Sequence, residues 1–180
     1  MWFRSVAVIC VLFGVAAGWS ARAGEPTFTP QSVLDGKVEI LVPQDFELMS
    51  DEMARLKYPS ERRPPIVFTN YDGTVNISVK PTDHRMSETE VAATRMSLVR
   101  SFRSPYPSGT VRSGNVDLNG RAAFLIDMHT PAVDTVIYNL IAGAPVEDRL
   151  VMFSFNVTRE LESEWADIGK YILMTIKITD

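Results

Sequence analysis

Few residues in this chain have the types and spacing that chemistry needs. Asp127 and His129 stand two apart in a run that reads as a strand, so both point to one face. There a carboxylate would orient an imidazole for base work or for metal binding. The simpler reading is two polar residues on the wet face of a sheet, with Phe124, Ile126 and Met128 facing the core. His84, Met86, Met128 and His129 make a looser set of soft ligands suited to copper. Met more often fills gaps in a core, and His84-Arg85-Met86 also reads as a plain loop. Nucleophilic hydrolysis needs a base beside the nucleophile, and only 2 histidines are present. The chain has no G-x-S-x-G, S-x-x-K, H-E-x-x-H, G-x-G-x-x-G or Walker loop. Among enzymes, a hydrolase working through paired carboxylates stays open, since 22 acidic residues offer many pairs. The absence of a catalytic constellation points away from an enzyme, and no cofactor is expected.

Binding residues are easier to find. Tyr58, Arg62 and Arg63 lie in Tyr58–Pro65 (YPSERRPP), where prolines lower the ordering cost of a loop rich in interface-type side chains. Tyr71 and Asp72 sit at the next hairpin tip and extend that surface. The competing reading is a solvent-exposed connection whose prolines only avoid edge pairing. Arg95 falls inside an apolar helical arc of Leu98, Val91, Phe102, Val99, Ala92 and Met96. A guanidinium there must snorkel, pair with an acid such as Glu88, or meet an anion or partner in a groove beside the helix.

The elements that position these residues follow from pattern and punctuation. Lys37–Val42 alternates as a half-buried strand and Pro43 stops it. Ser50 caps a short helix to Lys57, with Asp51 and Glu52 in its first turn. Ile66–Thr69 and Thr74–Lys80 form a hairpin through Asp72-Gly73. Ser87 and Glu90 make a capping box that opens a helix running to about Arg103. Val111–Leu118 and Arg121–His129 flank Asn119-Gly120, a strong hairpin signal. Thr135–Ala142 and Arg149–Val157 follow, divided by a turn at Gly143-Ala144-Pro145. Thr158 caps a last helix with Leu161, Trp165, Ile168 and Ile172 on one stripe, and Thr175–Thr179 closes as a strand. Hairpin-linked strands with helices on their faces make an α+β domain.

The start of the chain changes the composition. After Arg4, an apolar run from Val6 to Ala17 leads to Ala21-Arg22-Ala23, the pattern of a secretory signal peptide cut after Ala23. The run is shorter than the ~20 residues of a spanning helix, and Ile9 before Cys10 fits a lipid anchor poorly. Removing residues 1–23 leaves 157 of the 180, with 16 basic and 22 acidic residues, a net charge of −6 and no cysteine. Disulfides, thiol chemistry and Cys-ligated metal are then excluded, and nucleic acid is an unfavourable partner. Residues 24–36 read as a leader and 37–180 as one domain, exported to the periplasm or beyond without stable membrane insertion. Asn76-Ile77-Ser78 and Asn156-Val157-Thr158 match the N-glycosylation pattern, which is short and often coincidental.

Several stretches together resemble the superfamily of PsbP, the Ran-binding Mog proteins and the DcrB-like bacterial proteins. They are KVEILVPQDF (Lys37–Phe46), the hairpin strand Thr74–Lys80, the capped helix after Ser87, VDLNGRAAFLID (Val116–Asp127), and the last helix leading to TIKI (Thr175–Ile178). The resemblance implies an α/β/α sandwich around a mainly antiparallel sheet, and a non-enzymatic binding or assembly role. The chain departs from related periplasmic lipoproteins in lacking a processed cysteine. It departs from related effector chaperones in carrying a signal peptide. The matching positions carry the fold, so no functional residue transfers. The expectation is an exported factor that binds another protein as inhibitor, immunity or assembly factor. The alternatives are a periplasmic small-molecule or copper carrier and a carboxylate-dependent hydrolase.

Overall fold

Strand patterns with apolar residues at every second position must bury one face, and here the longest strands bury both. The computed structural model describes residues 26–61, 63–105 and 110–179, so the expected signal peptide and Arg62 lie outside the described residues. Ten strands and three helices follow in the order β1 (Phe28–Val33), β2 (Val38–Pro43), β3 (Glu47–Leu48), α1 (Asp51–Lys57), β4 (Ile66–Thr69), β5 (Val75–Arg85), α2 (Val91–Arg103), β6 (Val111–Leu118), β7 (Arg121–Pro131), β8 (Val136–Val146), β9 (Arg149–Thr158), α3 (Glu162–Met174) and β10 (Lys177–Ile178). Short 3₁₀ turns, Glu88–Glu90 and Arg159–Leu161, lead into α2 and α3. Among the described residues, every strand pairing is antiparallel.

Seven strands form one sheet in the order β3-β4-β5-β9-β8-β7-β6. On one face Val75, Ile77 and Val79 of β5 join Phe153, Phe155 and Val157 of β9 beneath α3. On the other, Phe124, Ile126 and Met128 of β7 join Ile141 and Leu150 beneath α2. The α+β class and the flanking helices read from the sequence are therefore observed. One element is displaced from that reading: β2 belongs to a second sheet, β1-β2-β10, which shares the α3 side of the core. Its partner β1 falls inside residues 24–36, so this stretch is folded with the domain from Phe28 onward.

Two turns differ from the sequence expectation for physical reasons. β8 runs straight through Gly143-Ala144-Pro145, and the chain reverses at Glu147 and Asp148, both at positive φ (49° and 57°). Gly143 is there because the Phe124 ring occupies the space a Cβ would take. Pro145 faces its missing N–H away from β9, past the point where β7 pairing ends at Phe124 and Gly143, so no ladder bond is lost. β5 likewise continues beyond Lys80, absorbing Pro81 in an irregularity between Pro81 and Arg85. The expected caps behave unequally. Ser50 Oγ accepts from the Met53 N–H at 3.3 Å, and Glu90 accepts from the Ser87 N–H at 2.9 Å. Thr158 makes no side-chain cap bond; its side chain hydrogen-bonds the Glu160 carboxylate instead.

α3 lies flat on β9 because Gly169 meets the Phe155 ring, where a Cβ would overlap three ring carbons. Phe155 is fully buried and has nowhere to turn. Gly169→Ala should therefore lower stability by about 1–3 kcal/mol, the overlap outweighing the ~1 kcal/mol gain in helix propensity. Denaturant unfolding of the variant checks this; equal or greater stability would mean that α3 rides higher on the sheet.

Candidate functional site

β6 ends the large sheet, and the hairpin joining it to β7 decides what that edge exposes. Asn119 and Gly120 take φ of 52° and 89°, a two-residue turn that makes Leu118 and Arg121 a hydrogen-bonded pair. Alternation then turns the backbone N–H and C=O groups of Asp117, Asn115, Ser113 and Val111 outward, away from β7. Among the described residues no further strand pairs with this edge.

α2 packs over the same end of the sheet. Its buried stripe is Val91 and Thr94, with Leu98, Val99 and Phe102 partly buried against the core. Met96, expected in the apolar arc, is 58% exposed, because the edge strand leaves that side of the helix uncovered. Arg95 leans over β6, donating from Nε to Asn115 Oδ1 at 2.9 Å and from Nη1 to Ser113 Oγ at 2.7 Å. Arg103 donates from Nη2 to the Val111 carbonyl at 3.0 Å, one of the outward groups. Arg95, Met96, Val99, Arg100, Arg103 and Ser113 line a groove of about 300 Å³ along the strand. No described acidic side chain forms an ion pair with these three arginines. Glu88, expected beside Arg95, accepts instead from Arg121 Nη1 at 3.3 Å. The arrangement can hold carboxylates or another strand, and among the described lining residues no base stands beside the Ser113 hydroxyl.

The other residues singled out in the sequence are spread over the molecule. Tyr58 and Asp72 stand at the opposite end, where Lys57 Nζ donates to the Gly73 carbonyl and ties α1 to the β4–β5 hairpin. Hydrogen bonds from the Thr74 hydroxyl and N–H hold the Asp72 carboxyl below its usual range. Burial pushes the Tyr58 phenol up and the Lys57 ammonium down. Tyr71, at the hairpin tip, is 99% exposed, and Arg63 is half-buried. Arg95 is thus remote from the Tyr58–Asp72 surface. Arg100, Arg103, Ser113 and Asn115 escaped the sequence reading. Their one signal was the α2 sequence VAATRMSLVRSFR, which carries three arginines and no acid.

The soft-ligand set does not converge. Met86 and Met128 are both buried in the core under α2, His84 is exposed, and His129 points to the other face. No group of three or more His, Cys, Asp or Glu is placed to hold a metal among the described residues. Asp127 and His129 do share a face, but it is not a wet one. α3 begins over it, and His129 Nε2 lies 2.9 and 3.0 Å from the two carboxylate oxygens of Glu162. Arg112 Nη2 donates to Asp127 at 2.8 Å, and the Tyr138 ring stands 5.3 Å from the imidazole. Burial, with the Asp127 charge acting in the same direction, pushes the Tyr138 phenol up to about 12. This cluster anchors the start of α3 to β7 and β8.

Comparison with known proteins bears out the resemblance at the level of fold. Cyanobacterial PsbP (CyanoP) from Synechocystis sp. PCC 6803 superposes with a TM-score of 0.62 at 12% identity, over 91% of this chain and 99% of that one. LpqN, involved in cell envelope biogenesis of Mycobacterium tuberculosis, gives 0.53 at 13% identity over 87% and 93%. A protein from Bacteroides thetaiotaomicron gives 0.55 at 12% identity over 84% of this chain and 48% of that one, about half its length. No family model and no curated protein matches the chain in sequence. The fold is PsbP-like.

The Tyr138 environment predicts an alkaline signature. Its pKa in the folded state, about 12, exceeds the ordinary value of 10.0. The unfolded chain therefore loses this proton first, so the stability the phenol contributes is present below about pH 10 and is lost as pH rises toward about 12. Unfolding midpoints of the wild type should fall more steeply over that window than those of Tyr138→Phe. Parallel curves would mean that the phenol is not held neutral by its surroundings.

Proposed function

We propose that the chain is an exported, non-enzymatic binding protein of the bacterial cell envelope, and that it takes an acidic, extended segment of another protein against β6. The observation that carries this reading is the row of Arg95, Arg100 and Arg103 beside an open strand edge, on a chain that is acidic as a whole. A strand added there would meet the outward backbone groups of Ser113, Asn115 and Asp117, which supply affinity without sequence preference. Acidic side chains at every second position of that strand would reach the guanidiniums, which supplies selection and steering. Export rests on the signal-like residues 1–23, and the envelope role is supported by LpqN, a protein of this fold involved in cell envelope biogenesis. No helix among the described residues is long and apolar enough to cross a membrane.

Expression of the full chain in a bacterial host should yield a periplasmic protein beginning at Gly24, read by intact mass, with a stoichiometric partner attached. Among the described residues the Arg100 side chain makes no hydrogen bond or ion pair, so Arg100→Glu should leave the melting temperature unchanged. It should weaken the complex about tenfold or more, and added salt should do likewise. Arg63→Ala should leave the complex intact. A complex indifferent to Arg100→Glu and to salt, yet lost in Arg63→Ala, would move the contact to the proline-rich loop.

A further inference from the structure

On the α2 face of the sheet, beyond the reach of that helix, lies a second cleft of about 540 Å³. That volume falls in the range of small-molecule sites. Its floor is built by strand register. Asn76 of β5 is directly opposite Asn156 of β9, and Asn156 is opposite Asn139 of β8. Three amides thus cross three neighbouring strands in one row. Asn156 Nδ2 donates to Asn139 Oδ1 at 2.7 Å, and Asn139 Nδ2 donates onward to Thr130 Oγ1 at 3.0 Å. Asn76 Nδ2 donates to the Gly73 carbonyl at 3.0 Å. Its Oδ1 is buried with no hydrogen-bond partner among the described residues, although Asn76 is only 7% exposed. An acceptor buried in this way is destabilising unless something donates to it. Tyr58 forms part of one wall, and Val133 and Ile137 belong to the opposite one.

We infer that this cleft is a binding site for a neutral, hydroxyl-rich ligand of the saccharide class, held on the Asn76–Asn156–Asn139 row. Charge argues for neutrality. Among the described residues, Lys57 and Asp134 are the only ionic side chains in the lining, and Lys57 is already committed to Gly73. The remaining polar groups are amides and threonine hydroxyls, which both donate and accept, as do the hydroxyls of a sugar. Spacing separates a sugar from a peptide. Neighbouring strands lie ~4.8 Å apart, close to the distance across a pyranose ring, whereas like-facing groups of an extended peptide repeat at ~6.8 Å. The aromatic and aliphatic walls suit the C–H faces of the same ring. Asn76 and Asn156 are also the two asparagines of the glycosylation pattern. Both belong to central strands, and their amides are part of the cleft floor.

Titration of the protein with maltose and with N,N′-diacetylchitobiose, followed through the side-chain amide resonances of asparagine, tests the proposal. Saturable shifts at Asn76, Asn139 and Asn156 are expected from at least one of the two sugars. An acetylated and amidated trialanine should produce none. Asn76→Leu removes the orphaned acceptor, so it should keep the melting temperature and weaken sugar binding about tenfold or more. Tyr58→Ala, on the wall, should weaken binding without touching the floor. No saturable shift from either sugar overturns the proposal. So does a response to trialanine alone, which would make the cleft a peptide site. Undiminished sugar binding in both variants overturns it as well.

Discussion

The close approach of α3 to β9 is the constraint on which the rest of the molecule depends. Phe153, Phe155 and Val157 line one face of β9, and α3 descends onto them only because Gly169 has no side chain. Removing each large side chain from water contributes roughly 1.5–3 kcal/mol, so the contact fixes the helix as firmly as any hydrogen bond in the domain. With α3 down, the small sheet β1-β2-β10 closes beside it through Ile40, Val42 and Ile176. The mirror case is on the opposite face, where Gly143 admits the Phe124 ring beneath α2. Both faces of the large sheet are thereby covered at their centre, and its ends are left to function.

Both sites follow from that coverage. α2 is 13 residues long and lies towards the β6 side, so it leaves its arginines leaning over an edge strand. At the other end of the strands nothing among the described residues spans the row of asparagines, and Lys57 and Tyr58 only wall it. Polar residues in the middle of a sheet would normally be covered or replaced by apolar ones. Here the amide chain from Asn156 through Asn139 to Thr130 is satisfied within itself, while Asn76 keeps an acceptor spare.

Much of this fold was legible in the sequence because its signals are local. Asn119-Gly120, the Ser87–Glu90 capping box and the alternation of Val75, Ile77 and Val79 each specify their own element. The turn after β8 was misread because Gly143 and Pro145 are turn residues by type. Their placement was set by contacts far away in sequence, an aromatic ring on β7 and the end of its pairing. The site was legible only in part for the same reason. Arg95 stood out as a charge in an apolar arc, yet its partners Ser113 and Asn115 lie on a strand whose edge position no periodicity reveals. The asparagine row was invisible, since it exists only when β5, β9 and β8 come into register.

Amide hydrogen exchange across β6 tests the central claim most directly. In the free protein the N–H groups of Ser113, Asn115 and Asp117 should exchange fast, and those of Gly114 and Val116, bonded to β7, should be protected. In the complex recovered from the periplasm the first three should slow to match their neighbours. Fast exchange at all three in that complex would contradict an added strand and remove the β6 edge as the binding surface.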